Sequence, residues 1–505
     1  MSWDRRLCPV DHPARWGRYT PDRPAVSWDA TTWSWGQLEA RVARTARWLV
    51  DDLGLEPGER LAVLAHNHPC FFELMFACLR AGVVLAPLNF RLAPAELDAL
   101  LSLCNARVLL VDRANRPIAA AMAHPLAAQA LALEDLEAEP QADVGLPTRR
   151  VLAPLGMEDP ALLLFTSGTT GLPKAAVLPV RQLFYNAVNT QLAFELTAQD
   201  ATVLYTPLFH TGAINVLAMP LFQSGGHVVI HEAFDAGRVL AEVQQRGISA
   251  IFGVPTTFEM LAAHPDFGAL DLSSVRLCLC GGAPLTVALI RRYQARDIVL
   301  TQGFGMTEVG PNCFFLPPHE ALARAGSVGR PIHYSQARVV VDGREAEDGE
   351  VGELWLSGPH VCLGYHDDPD ATVASLQDGW FRTGDLVKRD SDGFFTVAGR
   401  MKEMFISGGE NVYPAEVEVV LGAHPAVAEC AVVGMPDSRW GEVGCAFVVP
   451  RNGGFEPTHL KAWLRERLAP YKVPKAIVSL EDLPRNASGK ASKPSLVQEA
   501  RSHAS

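Results

Sequence analysis

Between residues 60 and 112 short apolar runs alternate with a segment of helical period, and each boundary carries a stop signal. Residues 60–66 (RLAVLAH) read as a strand, and residues 70–80 as a helix ended by Gly82, since glycine readily takes the left-handed conformation found at helix C-termini. Residues 83–87 and 106–112 read as further strands. The alternation continues over most of the length and predicts an α/β protein whose large N-terminal domain stacks β-sheets and helices in several layers. Residues 137–154 are rich in proline and alanine and poor in large apolar side chains, which predicts an exposed connection.

After about Arg400 the pattern changes to that of a small α+β unit. Pro414 suits the first turn of a helix whose Val417, Val420 and Leu421 share one stripe. Strands are expected at 426–433 and 445–449, and a helix near 458–468. The expected organisation is a large domain over residues 1–401 and a mobile C-terminal domain over 402–505.

Composition narrows the class. Hydrophobic residues make up 48% of the 505 and charged residues 20%, the balance of a soluble globular protein. No apolar run reaches the roughly 18 residues of a membrane span. The first dozen residues carry Asp4, Arg5, Arg6 and Asp11 rather than an apolar core, so no secretory signal is expected, and a cytoplasmic location fits. The net charge of −12 is spread along the chain, with no basic block for nucleic acid. Ten cysteines are scattered, and Cys278 and Cys280 alternate as they would on a buried strand, so structural thiols are expected rather than a zinc site.

The candidate chemistry begins at residues 161–165 (ALLLF), a short buried strand followed at once by TSGTTGLPK, residues 166–174. Backbone N–H groups in a glycine-rich turn converge into an anion-binding concavity, and hydroxyls and a lysine flank it, so the loop can hold phosphates. A Ser/Thr/Gly surface turn has the same composition, and Pro173 before Lys174 departs from the common phosphate loop. Further along stand AGVVLAPLN at 81–89, PLFH at 207–210, GGAP at 281–284, GMTE at 305–308, RTGD at 382–385, Gly399-Arg400, GGENVYP at 408–414 and PRNASGK at 484–490.

Taken in order, these motifs resemble the adenylate-forming superfamily over nearly the whole chain, and within it the acyl-CoA synthetases. The resemblance implies a two-step ligase that uses ATP, Mg2+ and coenzyme A. A carboxylic acid and ATP give acyl-AMP and pyrophosphate; CoA then gives acyl-CoA and AMP. It assigns the β- and γ-phosphates to Thr166, Ser167, Gly168, Thr169, Thr170 and Gly171, with Lys174 closing the loop. Gly282, Ala283 and Pro284 would wall the adenine, beside Phe304 and Gly305; many relatives carry tyrosine where Phe304 stands. Thr307 would lie near the α-phosphate and Glu308 would hold magnesium. Asp385 and Arg400 would fix the ribose, and Lys490 would bridge the acid and the α-phosphate as charge builds there. Lys402 stands at the hinge, where many relatives carry aspartate, and Gly408 and Gly409 would line the path of the thiol. His210 would gate the acid pocket; a histidine in so apolar a run is also commonly a plain core residue.

Two choices remain open at this level. Trp440, Lys472 and Lys475 resemble a CoA-binding surface, an aromatic face for adenine with cations for phosphates, which favours CoA over a carrier protein; a stand-alone enzyme that loads a carrier is the alternative. The acid pocket is expected from residues 209–222 and 251–258, with Ala213, Ile214, Leu217 and Gly253 as lining, and neither stretch carries a lysine or arginine for a second carboxylate. Medium- or long-chain fatty acids rank first on that ground and aryl acids of the benzoate or cinnamate type second. The expected partners are these small molecules alone, and a homodimer is compatible with the reading.

Overall fold

Strands that alternate with helices pair in parallel, and here they build most of the first of two compact units. The computed structural model describes residues 8–137, 155–167, 173–282, 285–407, 410–451, 454–485 and 490–503. The first unit comprises Met1–Ala337 and Leu356–Phe381, the second Arg338–Trp355 and Arg382–Ser505. The expected class, α/β with a large N-terminal and a small C-terminal domain, is borne out. The boundary near residues 401 and 402 remains our proposal for the mobile joint. Most of the expected connection over residues 137–154 lies outside the described residues.

In the first unit one sheet runs in the order Leu300–Gln302, Leu277–Cys280, Ala250–Gly253, Ala201–Leu204, His227–Ile230, Pro24–Trp28 and Thr31–Ser34, all parallel except the final hairpin. A second sheet runs Leu131–Ala132, Val108–Val111, Arg60–Leu64, Val84–Leu88, Pro160–Ser167 and Pro173–Pro179, again parallel until the last pair. The strands expected at 60–66, 83–87 and 106–112 are thus present, each slightly shorter or shifted by a residue.

The expected helix is Cys70–Ala81, and Gly82 ends it at φ 73°. It is buried on every face, which makes it a core helix rather than a surface one. Glu73 within it is sealed from solvent, and Arg41 Nε at 2.7 Å, Arg44 Nη2 at 2.9 Å and the Thr45 hydroxyl at 2.5 Å all donate to its carboxylate. A buried charge survives only with such partners. Cys278 and Cys280 lie on the fully buried strand Leu277–Cys280, and burial pushes both thiols well up from the ordinary value.

The second unit holds a sheet of strands Val427–Asp437 and Gly441–Pro450, extended by Ala476–Ser479 on one side of the pair and by Phe405–Ser407 and Glu410–Val412. Because side chains alternate along a strand, Val432, Ala446 and Val448 pack under the helices Pro414–Gly422 and Pro457–Arg465. Val433, Cys445 and Phe447 face the opposite way, toward Leu496 and Ala500 of Lys493–Ala500. Val417 and Leu421 are buried as the stripe predicts, and Val420 is half-buried.

Candidate active site

Open parallel sheets place ligands beyond the carboxyl ends of their strands, and several candidate residues stand there. Gly253 closes Ala250–Gly253, Gly281 and Gly282 follow Leu277–Cys280, and Gly303-Phe304 follows Leu300–Gln302. The loop is stitched across these strand ends: Gly281 N donates to Gly253 O at 3.1 Å, and Gly303 N to Cys280 O at 2.9 Å. Phe304 meets Phe314 edge-on at 5.6 Å. Gly305 could be nothing else, since a Cβ there would lie 2.3 Å from the Gly310 carbonyl oxygen. That close approach folds the GMTE segment into a tight loop, with Met306 N bonded back to Gly310 O at 3.2 Å.

Thr307 and Glu308 occupy the 3₁₀ turn Thr307–Val309 inside this loop. The Gln182 side chain donates to the Thr307 carbonyl at 2.9 Å, and Cys362 N to the Glu308 carbonyl at 2.7 Å. The Glu308 residue is 5% exposed, and its Oε1 accepts from the Tyr365 hydroxyl at 3.0 Å. Strand Pro173–Pro179, which returns from the glycine-rich loop, packs against the same turn. Thr166 faces Lys174 across the antiparallel pair, and the Lys174 ammonium lies 4.9 Å from the centre of the Tyr365 ring. The structure therefore brings Lys174, Thr307 and Glu308 to one place. A single carboxylate oxygen is the donor type that magnesium takes when phosphates and water complete its shell, so the residues present fit that ion.

The acid-side candidates divide. Ala213 and Leu217 line a small crevice with Gly212, Ala218, Leu204 and Phe252. Ile214 is wholly buried in the core, and a Cβ on Gly253 would meet the Tyr205 hydroxyl at 2.9 Å. The wall is a π-helical turn, Ile214–Ala218. Asn186 donates to the Asn215 carbonyl at 2.6 Å, and Asn312 to the Val216 carbonyl at 3.1 Å, which ties this turn to the GMTE loop. His210 precedes the turn, half-buried, with its ring 4.4 Å from that of Phe209.

In the second unit, Asp385 and Arg400 are direct partners across antiparallel strands. Lys490 lies close enough to feel both. Its pKa is lowered, by desolvation first and by the Arg400 charge second, against the pull of Asp385 and Glu403. The residue as a whole still presents open surface to solvent. Lys402 stands in the short turn Met401–Glu403. Trp440 is 48% exposed, with the Arg439 guanidinium 4.7 Å from its ring centre. Asp437 accepts from Trp440 N at 2.9 Å and Lys475 Nζ at 2.8 Å, and this pairing with Lys475 holds its carboxyl down to about 2. Lys472 pairs with Glu416 at 2.7 Å.

Gly168, Thr169, Thr170, Gly171, Ala283, Pro284, Gly408 and Gly409 lie outside the described residues, as does the side chain of Ser167. Sequence reasoning passed over Tyr365, Asn186, Asn312 and Phe252. Phe252 lay inside the expected pocket segment, but the other three carry no signal in sequence; only the fold brings them to the site.

A family model described as AMP-binding enzyme matches residues 13–366, and one described as AMP-binding enzyme C-terminal domain matches residues 416–490. The chain is 42% identical to a feruloyl-CoA synthase of Amycolatopsis sp over 485 residues, 95% of this chain and 96% of the relative. It is 39% identical to an indoleacetate–CoA ligase of Aromatoleum aromaticum, covering 94% of each. Among solved structures, an O-succinylbenzoate coenzyme A synthetase from Bacillus subtilis in complex with ATP and magnesium ion is similar at TM-score 0.86 and 31% identity, covering 95% of this chain and 98% of the other.

Proposed function

The chain belongs to the AMP-binding enzymes and is an AMP-forming acid–CoA ligase, and we propose that the acid it activates is compact and aromatic, of the arylpropenoate or arylacetate type. The observation that carries this reading is Phe252 in the lining of the crevice taken as the acid site. Phe252 fills the space between two glycines, for a Cβ on Gly212 or on Gly281 would come within 3.1 or 3.2 Å of its ring. A ring in that lining narrows the room for a long alkyl chain and offers a face or edge to a flat substrate. The rest of the crevice lining is apolar apart from Thr202 and Thr206, with no cation among it for a second carboxylate. The printed activities of the two relatives support the same class. Apolarity alone ranked fatty acids first; Phe252 and the activities printed for the relatives support ranking aromatic acids ahead of them.

A carboxylate resists attack by a thiol because oxide is a poor leaving group. In the first step a carboxylate oxygen attacks the α-phosphorus of ATP, the bond to the bridging oxygen breaks, and pyrophosphate leaves. In the second the CoA sulfur attacks the acyl carbon, AMP leaves, and the thiol proton goes to solvent. In our reading Thr166, Lys174 and the loop between them hold the outer phosphates, and Glu308 holds magnesium, which when bound neutralises phosphate charge. Thr307 lies beside the α-phosphate and Lys490 donates to it as negative charge develops. Asp385, set by Arg400, accepts from the ribose hydroxyls, and His210 borders the acid. Trp440, Lys472 and Lys475 take the CoA nucleotide, its phosphates displacing Asp437 and Glu416 from the two ammonium groups.

The test is the release of AMP and acyl-CoA with ferulate, cinnamate, indoleacetate, benzoate, octanoate, palmitate and o-succinylbenzoate, with either CoA or a carrier protein as acceptor. An arylpropenoate or arylacetate should give the highest kcat/KM, with CoA. A higher value for octanoate or palmitate than for every aromatic acid would overturn the substrate class.

A further inference from the structure

Residues 358–366 (GPHVCLGYH) form a strap across the two segments that the nucleotide reading uses. On one side the strap adds to the strand leaving the glycine-rich loop: Val177 N donates to Gly364 O at 2.9 Å, Leu363 N to Val177 O at 3.0 Å, and His366 N to Ala175 O at 2.8 Å. On the other side it holds the Glu308 turn, through Cys362 N to Glu308 O at 2.7 Å and the His360 ring to the Val309 carbonyl. Tyr365 sits where the two meet and pairs with Ala176 as an isolated bridge. Its own backbone is fixed, because its N–H donates to the Thr372 hydroxyl at 2.9 Å, and Thr372 also bonds back to Asp368.

We infer that Tyr365 is a positioning residue for adenylation: its hydroxyl aims the Glu308 carboxylate and its ring seats the Lys174 ammonium, so one side chain sets both ends of the phosphate site. This rests on the nucleotide reading given above. The 3.0 Å bond from the hydroxyl to Glu308 Oε1 helps to fix the carboxylate's rotamer before metal arrives. The ring, with Lys174 Nζ 4.9 Å from its centre, holds the ammonium by its negative face without neutralising it, so the full charge stays available to phosphate. Each task belongs to a different part of the side chain, and that makes the two separable.

Tyr365→Phe keeps the ring and loses the donor; Tyr365→Leu loses both. Magnesium binding to the enzyme–ATP complex is followed by calorimetry, and ATP–pyrophosphate exchange with the best acid as a function of magnesium. For Tyr365→Phe the magnesium needed for half-saturation should rise about tenfold in both measurements, while KM for the acid is unchanged. Tyr365→Leu should show the same shift and, in addition, several-fold weaker ATP binding. In a Glu308→Ala background Tyr365→Phe should add nothing to the loss of magnesium binding. A wild-type magnesium response in Tyr365→Phe, or full additivity with Glu308→Ala, overturns the inference. Absence of magnesium-dependent exchange in the unaltered enzyme with every acid would instead sink the nucleotide reading. Tyr365→Phe melting at the wild-type temperature excludes misfolding as the cause, and a magnesium shift that vanishes once the unfolded fraction is subtracted counts against the inference.

Discussion

Arg400 Nε lies 2.6 Å from Asp385 Oδ1, across two strands that hold the residues in direct register. The carboxylate is almost sealed, whereas the arginine is 41% exposed, so the ion pair serves to orient the acid more than to stabilise the fold. Thr383 assists by accepting from Asp385 N at 3.0 Å. Asp385→Ala is expected to raise KM for ATP by about tenfold or more and leave the magnesium dependence of exchange unaltered, since it removes ribose binding alone. Steady-state titrations of ATP at several magnesium concentrations check this, and a changed magnesium response would show that Asp385 does not act on the ribose.

Much of this was legible beforehand, and the reasons differ by residue. Strands such as Arg60–Leu64 and the helix Cys70–Ala81 carry their own periodicity and stop signals, so local sequence specifies them. The roles proposed for Asp385, Glu308 and Lys490 came from the resemblance of their motifs to the adenylate-forming superfamily, not from local pattern. Tyr365 reaches Glu308 across 57 residues of chain, and Asn186 reaches Asn215 across 29; such contacts depend on sheet order, which no local pattern encodes. The acid-side segment shows a related limit. Ile214 and Leu217 are equally apolar, and only the π-helical turn decides which of them lines the crevice.

Phe252 should behave as the stop of the acid crevice. Phe252→Ala removes the ring and leaves room for several methylene groups, each contributing up to about 0.8 kcal/mol when buried. Octanoate is expected to gain about tenfold in kcat/KM and the best aromatic acid to lose about as much. Unchanged relative rates across the acid panel would mean that the acid binds elsewhere.

Three histidines, His12 and His360 buried and His227 half-buried, should make the fold sensitive to mild acid. Burial lowers His12 to about 3, with Arg15 adding to the effect, and lowers His227 to about 4, with Arg246 adding and Glu242 opposing. His360 is lowered by burial as well, against the pull of the Val309 carbonyl. An unfolded histidine takes up its proton near pH 6.5, whereas these stay neutral in the fold. Their stabilising contribution is therefore present above that value and is lost as pH falls below it, at up to roughly 1.4 kcal/mol per pH unit for each. Urea unfolding between pH 7.5 and 5 should show this slope, and His12→Leu should reduce it by about one proton's worth. Equal slopes in the two proteins would remove His12 from the account.

Lys490 offers the sharpest separation of the two half-reactions. Its pKa is lowered by desolvation first and by the Arg400 charge second, so an arriving α-phosphate would offset both and strengthen its charge where the reaction needs it. That gain exists only while the phosphorus is under attack. Thioester formation from acyl-AMP makes no such demand, so the small domain is proposed to turn about Lys402 between the two steps, bringing Gly408 and Gly409 to the thiol path. Lys490→Ala should then slow adenylate formation by about a hundredfold to a thousandfold, yet convert supplied acyl-AMP and CoA to thioester within a few-fold of the normal rate. Lys402→Pro fixes φ at the proposed hinge and should do the reverse, accumulating acyl-AMP. Single-turnover measurements of pyrophosphate and acyl-CoA distinguish these outcomes, and equal losses of both half-reactions in both variants would refute domain alternation for this protein.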